Sequence, residues 1–247
     1  METTSYIALS RQQALRNEMS AIANNMANMN TTGYKGERML FVDQLVRSRS
    51  DASIADQKLS YVRDIASFRN TMDGPLTQTN NPLDLALNGD GYFSVQTAGG
   101  ERYTRNGSLT MDAGGQLVTQ QGDPVLTDAG TPIFFAPEDT QITITSDGTI
   151  STENGELGKL KIVSFNNQQD MFRAEGGYFA TNEQPNIIAR PKIAQGMIEG
   201  SNVESITEMT RMMEVSRQYM SAQKMIDRED ERIRRMVSEL PSLTSGQ

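Results

Sequence analysis

The chain has 247 residues, with 23 Lys and Arg against 31 Asp and Glu, a net charge of −8, and no Cys, His or Trp. The acidic balance argues against nucleic acid as a partner, because binding phosphate requires a basic surface. Without His or Cys the chain has no imidazole base, no thiolate nucleophile and no His-ligated zinc site. Carboxylate pairs, Ser-Lys pairs and Tyr remain possible catalytic groups, but no pattern selects any of them. We assign no catalytic residue, cofactor site, metal site or small-molecule substrate.

The sequence has neither a membrane-spanning pattern nor a secretory leader. No apolar run approaches the roughly 20 residues that a transmembrane helix needs. The start of the chain does not combine a basic segment with an apolar one, as a cleavable signal peptide does. We expect no direct membrane span and no cleaved signal peptide.

An amphipathic helix is predicted over residues 1–34. Its apolar residues are spaced four and three apart, which defines one helical face: Leu15, Met19, Ile22, Met26 and Met29. The helix is expected to stop between Asn28 and Gly33, where Asn and Thr side chains compete for backbone groups. We expect Gly33 to adopt a positive φ, and Lys35 to bind the last carbonyls of this helix.

Residues 36–74 are predicted to be a linker that is partly disordered. The polar segment 47–53 is typical of a loop or a poorly ordered stretch. The apolar segments 39–42 and 45–46 fit either a short helix or an extended strand, and the pattern does not distinguish the two.

Residues 75–200 are predicted to form a central all-β domain. Short alternating segments lie between Asn-Gly, Asp-Gly and Gly-Gly turns, which is the strongest local signal for β-hairpins. The predicted strands cover residues 92–95, 102–104, 109–111, 117–119, 142–145, 149–151 and 157–165. Turns every 8–12 residues favour a sandwich or a barrel-like fold.

A second and longer helix is predicted over residues 201–240, with a tail at 241–247. Ser201 or Asn202 is the expected N-cap, and Pro241 the expected stop. The apolar residues again repeat at heptad spacing: Met212, Val215, Tyr219, Ala222, Ile226, Ile233, Met236 and Leu240. The predicted fold class is α+β, with two terminal helices paired like a coiled coil and a central all-β domain.

Three segments resemble the flagellar rod and hook family. The segment from Ile22 to Lys35 (Ile-Ala-Asn-Asn-Met-Ala-Asn-Met-Asn-Thr-Thr-Gly-Tyr-Lys) is similar to the N-terminal signature of that family. Residues 83–93 and 103–108 resemble its central block, and residues 195–203 resemble its C-terminal block. Residues 6–12 and the chain length resemble proximal-rod members, whereas distal-rod members are somewhat longer and hook proteins much longer.

The resemblance implies a structural subunit of the bacterial flagellar basal-body rod and not an enzyme. Residues 1–35 and 201–240 would be the helices of an inner assembly domain, and the β domain would lie outside them in the tube. The implied partners are other rod subunits, copies of this chain and the flagellar export apparatus, and the implied location is the periplasmic rod. The alternatives are a distal-rod or hook-type subunit, or a secreted peptidoglycan-active or binding protein.

Residues of both helical faces and of the Asn- and Thr-rich segment are the candidate assembly contacts. The candidates are Leu15, Met19, Ile22, Asn24, Asn25, Met26, Asn28, Asn30, Thr31, Thr32, Gly33, Tyr34, Lys35, Val203, Met212, Val215, Tyr219 and Ile226. Amides and hydroxyls hydrogen-bond neighbouring backbones without adding charge. We expect the terminal helices to be largely unfolded in the free monomer, because their apolar faces lack partners there.

Overall fold

The computed structural model describes residues 2–47, 58–139 and 141–243. Within these ranges, an N-terminal and a C-terminal helix flank a β-rich central region, as expected for an α+β fold. The chain divides into two compact units. The terminal unit comprises Met1–Ala27, Glu37–Phe68 and Glu204–Gln247, and the central unit comprises Asn28–Gly36 and Arg69–Val203.

The two helices of the terminal unit are α1 (Glu2–Ala27) and α2 (Ser205–Leu243). They run antiparallel, because Gln12 bonds Gln223 while Glu18, further along α1, pairs with Arg211. Four buried residues form the contact between them: Leu15, Ile22, Val215 and Ala222. Four half-buried residues pack around this cluster: Met19, Met26, Met212 and Tyr219. We call these eight residues the helical seam.

The ends of α2 differ from the prediction. The helix begins at Ser205, and the carbonyl of Glu204 accepts the hydrogen bond of the Glu208 N–H at 3.0 Å. Neither Ser201 nor Asn202 is therefore its N-cap. At the other end α2 continues to Leu243, so Pro241 lies in its last turn. Near a terminus the proline ring removes only one intrahelical bond, so the helix can continue for two more residues.

The predicted heptad pattern also extends further than the observed contact. Ile226 is half-buried but lies outside the seam cluster, and Met29 and Ile233 are 40% and 38% exposed. Because the helices are antiparallel and α1 is the shorter, the last turns of α2 extend past the start of α1. The side chain of Leu240 lies outside the described residues.

Residues 36–74 contain strands where the sequence analysis predicted a linker. Strands β1 (Glu37–Arg47) and β2 (Lys58–Arg69) form a two-stranded sheet. The extended alternative for the apolar segments is therefore the correct one. Pairing satisfies backbone groups that a lone extended linker would leave to water. Most of the polar segment 47–53 lies outside the described residues.

Fifteen strands make up the central unit within the described residues. In chain order they are β3 (Leu76–Gln78), β4 (Leu85–Leu87), β5 (Tyr92–Thr97), β6 (Gly100–Thr104), β7 (Leu109–Met111), β8 (Leu117–Thr119), β9 (Thr143–Ile144), β10 (Thr149–Thr152), β11 (Gly155–Lys159), β12 (Ile162–Ser164), β13 (Phe172–Arg173), β14 (Phe179–Ala180), β15 (Asn186–Ile187), β16 (Ile193–Gln195) and β17 (Met197–Glu199). The largest sheet has the order β13-β14-β6-β5-β12-β15, a second has the order β11-β10-β9, and three others pair two strands each, namely β16-β4, β17-β3 and β7-β8.

The core of the central unit lies against the large sheet. Its fully buried members include Phe93 on β5 and Ile162 on β12, which lie opposite each other in antiparallel register. Leu85, Leu117 and Ile150 join the same cluster. A second cluster is aromatic, with edge-on or tilted ring pairs among Tyr92, Tyr103, Phe165 and Phe179. Burial of such rings is a large share of the hydrophobic stabilisation.

The last strands of the central unit return to its first ones. On β16, Gln195 pairs with Leu85 of β4, and on β17, Glu199 pairs with Leu76 of β3. This antiparallel closure carries residues 196–203 to the place where residues 33–36 and 70–74 lie, which sets up the clusters described next.

Candidate assembly site

Asn25 organises the end of α1 in the terminal unit. Its side-chain oxygen accepts the Glu37 N–H at 2.9 Å, and its amide nitrogen donates to the Glu37 carbonyl at 2.8 Å. The side chain thus pairs with the first residue of β1 as a neighbouring strand would. The same amide also donates to Glu208 on α2 at 3.3 Å, and Asn25 is only 2% exposed. One buried amide therefore joins both helices to β1.

A buried carboxylate, Glu199, lies at the centre of a charge cluster in the central unit. It is 1% exposed, and it accepts hydrogen bonds from Lys35 Nζ at 2.6 Å and from Arg105 Nε at 2.5 Å. The Gly74 N–H donates to it at 2.8 Å. Asp73 completes the cluster, 2.9 Å from Arg105 Nη2 and 3.7 Å from Lys35 Nζ. We call Lys35, Asp73, Arg105 and Glu199 the Glu199 cluster.

The Glu199 cluster is electrically balanced, with two cations and two anions. Lys35 also donates to the Met72 carbonyl at 2.7 Å, and Arg105 donates to the Gly91 carbonyl at 2.6 Å. The buried donors are therefore hydrogen-bonded as well as neutralised, which is what makes buried charges tolerable. The cluster joins residues that lie up to 164 positions apart in the chain.

Within the central unit, Gly33 holds residues 28–36 against residues 105–106 and 199. Its N–H donates to the Glu199 carbonyl at 2.7 Å, and its φ is +68°. A Cβ at this position would lie 2.6 Å from the backbone carbonyl of Arg105 and 2.7 Å from the Asn106 nitrogen. The predicted positive φ is confirmed, and close approach of two backbones adds a second requirement for glycine.

Contacts of Tyr34 and Asn202 hold the residues that follow Gly33 in place. The guanidinium of Arg173 stacks over the Tyr34 ring at 4.4 Å, a cation–π contact, and donates to the Lys35 carbonyl at 3.1 Å. The Asn202 amide accepts the Gly36 N–H at 2.8 Å and donates to the carbonyls of Asn70 and Met72, each at 2.9 Å. These bonds occupy Asn202 and explain why it does not cap α2.

The predicted candidates separate into buried and exposed groups. Gly33, Tyr34 and Lys35 are buried with Asn25, whereas Asn24, Asn30 and Thr31 are exposed. Three others are half-buried: Asn28, Thr32 and Val203. The Asn28 carbonyl accepts the Thr31 N–H at 3.1 Å, which makes the turn after α1. The prediction that Lys35 binds the last carbonyls of α1 is wrong. Its ammonium binds the buried Glu199 carboxylate, which carries a full opposite charge.

Sequence reasoning missed the partners of these residues. Glu199, Arg105 and Asn202 lie inside the quoted family blocks, but we predicted no buried contact for any of them. The available signal was a charge inside a strand-forming segment. Glu199 follows Met197 and Ile198, so an acidic residue continues an apolar strand.

A small polar pocket of about 110 Å³ lies beside Gly33 and Tyr34. The Tyr178 hydroxyl on its wall donates to Asp123 at 2.7 Å and lies 2.6 Å from the Thr119 hydroxyl. Burial raises the pKa of Tyr178 to about 12, and burial also raises the pKa of Tyr103 to about 12. Both phenols therefore stay neutral at physiological pH, and the Tyr178 hydroxyl acts there as a hydrogen-bonding group.

Residues 2–47, 58–139 and 141–243, which the structure describes, lack two kinds of feature. Neither helix there combines the length and the apolar character that crossing a bilayer would require. No group of three acidic side chains is placed to hold a metal ion in those residues.

Three family models match the chain, in the order of the blocks described above. Residues 6–35 match a model described as "Flagella basal body rod protein". Residues 86–152 match "Flagellar hook protein FlgE/F/G D1 domain", and residues 194–239 match "Flagellar basal body rod FlgEFG protein C-terminal". The first match includes Asn25, Gly33 and Lys35, and the other two include Arg105 and Glu199.

Full-length relatives agree with these matches. The chain is 37% identical to the basal-body rod protein FlgF of Caulobacter vibrioides over 97% of this chain and 98% of that protein. It is 32% identical to FlgF of Escherichia coli over 94% and 95% of the two chains, and 30% identical to the rod protein FlgG of Bacillus subtilis over 94% and 97%. Proteins of this family are structural and not enzymes. The chain belongs to the flagellar basal-body rod protein family and is a structural subunit of the rod.

Proposed function

We propose that this rod subunit assembles through its two terminal helices, paired like a coiled coil, into the axial tube of the proximal rod. The observation that carries the proposal is the helical seam, in which α1 and α2 bury apolar side chains against each other. Pairing buries one apolar face of each helix within the chain and leaves the outer faces of both helices available to neighbouring subunits.

The spacing of the seam supports the coiled-coil description. Leu15 and Ile22 lie seven residues apart on α1, and Val215 and Ala222 lie seven apart on α2. A repeat of seven residues keeps one face of each helix directed at its partner. The Glu18–Arg211 ion pair, at 2.7 Å, flanks this face.

The exposed members of the Asn- and Thr-rich segment are the proposed contacts to neighbouring subunits. Asn24, Asn30 and Thr31 face solvent in the single chain, together with part of Asn28 and Thr32. The buried members hold this segment in place, since Asn25 binds Glu37 and Gly33 binds Glu199. Rigid support of an exposed polar segment reduces the entropy that assembly would otherwise cost.

The proposed position is the proximal rod, on the periplasmic side, and delivery is through the flagellar export apparatus. Identity of 37% to a FlgF-named relative along nearly the whole chain supports this position. Identity of 30% to a FlgG-named relative makes the distal rod the second candidate. The proposed domains are an inner assembly domain at 1–35 and 201–240 that contains α1 and most of α2, a connecting segment at 36–74 that contains β1 and β2, the β domain at 75–200, and a tail at 241–247 whose first three residues continue α2.

The test compares Ile22→Asp with Ser20→Asp. Ile22 is 2% exposed in the seam, whereas Ser20 lies on the exposed face of the same helix. An unpaired carboxylate in the seam is costly, and truncating the side chain alone would cost about 2–5 kcal/mol. We expect Ile22→Asp chains to be made but to be missing from purified basal bodies in non-motile cells, and Ser20→Asp chains to assemble. Normal incorporation of Ile22→Asp would refute assembly through the paired helices.

A further inference from the structure

The last segment of the central unit, residues 195–202, lies against parts of the chain that come much earlier in the sequence. It includes β17 and the end of β16, which pair with β3 and β4. Between these strands, the Gly196 carbonyl accepts the N–H groups of Thr79 and Asn80 at 2.8 and 3.1 Å, and the Gly196 N–H donates to the Asp84 carbonyl at 2.8 Å. We call residues 195–202 the closing strap.

The closing strap binds residues 33–36 through two of its members. The Glu199 carbonyl accepts the Gly33 N–H at 2.7 Å, and the Asn202 side-chain oxygen accepts the Gly36 N–H at 2.8 Å. These backbone bonds add to the ion pairs of the Glu199 cluster. The residues that follow the Asn- and Thr-rich turn are therefore held by the strap.

The closing strap also binds residues 70–74. The Asn202 side-chain nitrogen donates to the carbonyls of Asn70 and Met72, each at 2.9 Å. The Asn70 N–H in turn donates to the Gly36 carbonyl at 2.8 Å. The two segments that the strap holds thus bond each other as well, and the Asn202 amide joins all three.

The backbones of the strap and of residues 70–74 approach more closely than a side chain would allow. A Cβ at Gly74 would lie 2.1 Å from the Gly200 carbonyl oxygen, and the three atoms nearest to that Cβ all belong to the strap. Gly74 is not among the glycines with a positive φ, so alanine would not strain the backbone there. A methyl group at this position therefore conflicts with the docked strap.

The closing strap is held by polar contacts, and the apolar core lies elsewhere. Among the described residues, neither apolar cluster of the central unit includes a member of the strap. Undocking the strap would therefore break hydrogen bonds and ion pairs without opening the packing around Phe93 and Ile162. Segments of this kind open locally as cooperative units.

We propose that docking of the closing strap is a separate step that fixes residues 28–36, so that the Asn- and Thr-rich segment can contact a neighbour only after the strap has docked. The inference rests on the proposed function, which makes the exposed members of this segment the contacts to neighbouring subunits. Synthesis runs from the N-terminus, so residues 28–36 emerge long before residue 202 of the 247-residue chain. An incomplete chain therefore cannot present this segment, and the strap acts as a check that the central unit is complete.

Hydrogen exchange of the free, full-length chain, followed by mass spectrometry, tests the separate docking step. Gly74→Ala places a methyl group where the strap docks, and Asn202→Ala removes the amide that joins the three segments. The controls are Gly99→Ala, whose Cβ would lie nearest to side-chain atoms in an exposed turn, and Asn154→Ala, which removes an exposed amide. We expect both test variants to exchange about tenfold or more faster than the natural chain at residues 33–36, with β5 and β12 unchanged. Neither control should change the exchange of residues 33–36.

Two results would refute the separate docking step. One is unchanged exchange at residues 33–36 in both test variants, and the other is an equal rise in β5, which would show that the strap opens only with the whole unit. If the test variants do not fold, exchange of the unmodified chain at low denaturant concentrations decides the question. Residues 33–36 and 195–202 should then open together at a lower free energy than β5, and opening at the same free energy as β5 would refute the proposal.

Incorporation into basal bodies tests the consequence for assembly. At equal expression, Asn202→Ala chains should be under-represented relative to Asn154→Ala chains, because their contact segment is not held. Equal incorporation of the two would refute the link between the strap and the contact segment. Assembly through the paired helices has its own test in Ile22→Asp, so either proposal can fail while the other stands.

Discussion

Replacing Glu199 by Gln should destabilise the central unit strongly. The change keeps the size of the side chain and one acceptor oxygen but removes the charge that neutralises Lys35 and Arg105. Both cations are at most 4% exposed, so they would be left with Asp73, whose side chain is 47% exposed. Removing one partner of a buried ion pair costs about 3–5 kcal/mol. A typical domain is stable by only about 5–15 kcal/mol, so the loss would be a large part of the total.

Two matched variants calibrate this prediction. Asp73→Asn removes a half-exposed carboxylate of the same cluster, and Glu231→Gln removes an acid whose ion pair with Arg235 is 69–74% exposed. Exposed pairs are worth about 0–1 kcal/mol, so the expected order of destabilisation is Glu199→Gln, then Asp73→Asn, then Glu231→Gln. Denaturant unfolding followed by circular dichroism measures all three. If Glu199→Gln lay within about 1 kcal/mol of the unmodified protein, our account of the Glu199 cluster would be wrong.

Three further predictions concern single groups. Gly33→Ala should lower the unfolding temperature, because a residue with a side chain is strained at φ +68° and its Cβ would lie 2.6 Å from the Arg105 backbone. A variant as stable as the natural chain would contradict this requirement for glycine. Asn25→Ala should cost about 1–3 kcal/mol, because the buried Asn25 amide no longer bonds the part-buried N–H and carbonyl of Glu37. Thermal unfolding measures the loss, and a value below about 0.5 kcal/mol would count against the role of this amide. Alkaline titration should show the pKa of Tyr178 near 12 in the folded protein, against 10.0 ordinarily. Because this folded-state pKa is raised, its stabilising effect is complete below pH 10.0 and is lost as the pH rises through about 12. Ionisation of all tyrosines together near pH 10.0 would contradict the burial.

The helical seam could be predicted because its signal is local. Residues such as Leu15 and Ile22 repeat at a spacing that only a helix places on one face, and the burial of both follows that spacing. The short strands were predictable for the same reason, because alternating apolar and polar residues and Asn-Gly or Asp-Gly turns are recognisable within a few residues. The observed β7 (Leu109–Met111) and β8 (Leu117–Thr119) have the predicted bounds.

The Glu199 cluster could not be predicted because its members are distant in sequence. Glu199 and Lys35 are 164 positions apart, and no local pattern indicates that they contact each other. The start of α2 was misplaced for a related reason. Asn202 has the composition of an N-cap, but its amide is held by Gly36, which only the fold brings near. Local propensity yields to tertiary hydrogen bonds in such positions.

The central claim is that this chain is a permanent part of the rod, and quantitative mass spectrometry of purified basal bodies tests it most directly. The particles would be measured before and after the hook and filament are sheared away. We predict that the amount of the chain on the particles is the same before and after shearing. Loss of the chain with the hook, or its absence from the particles, would contradict the account.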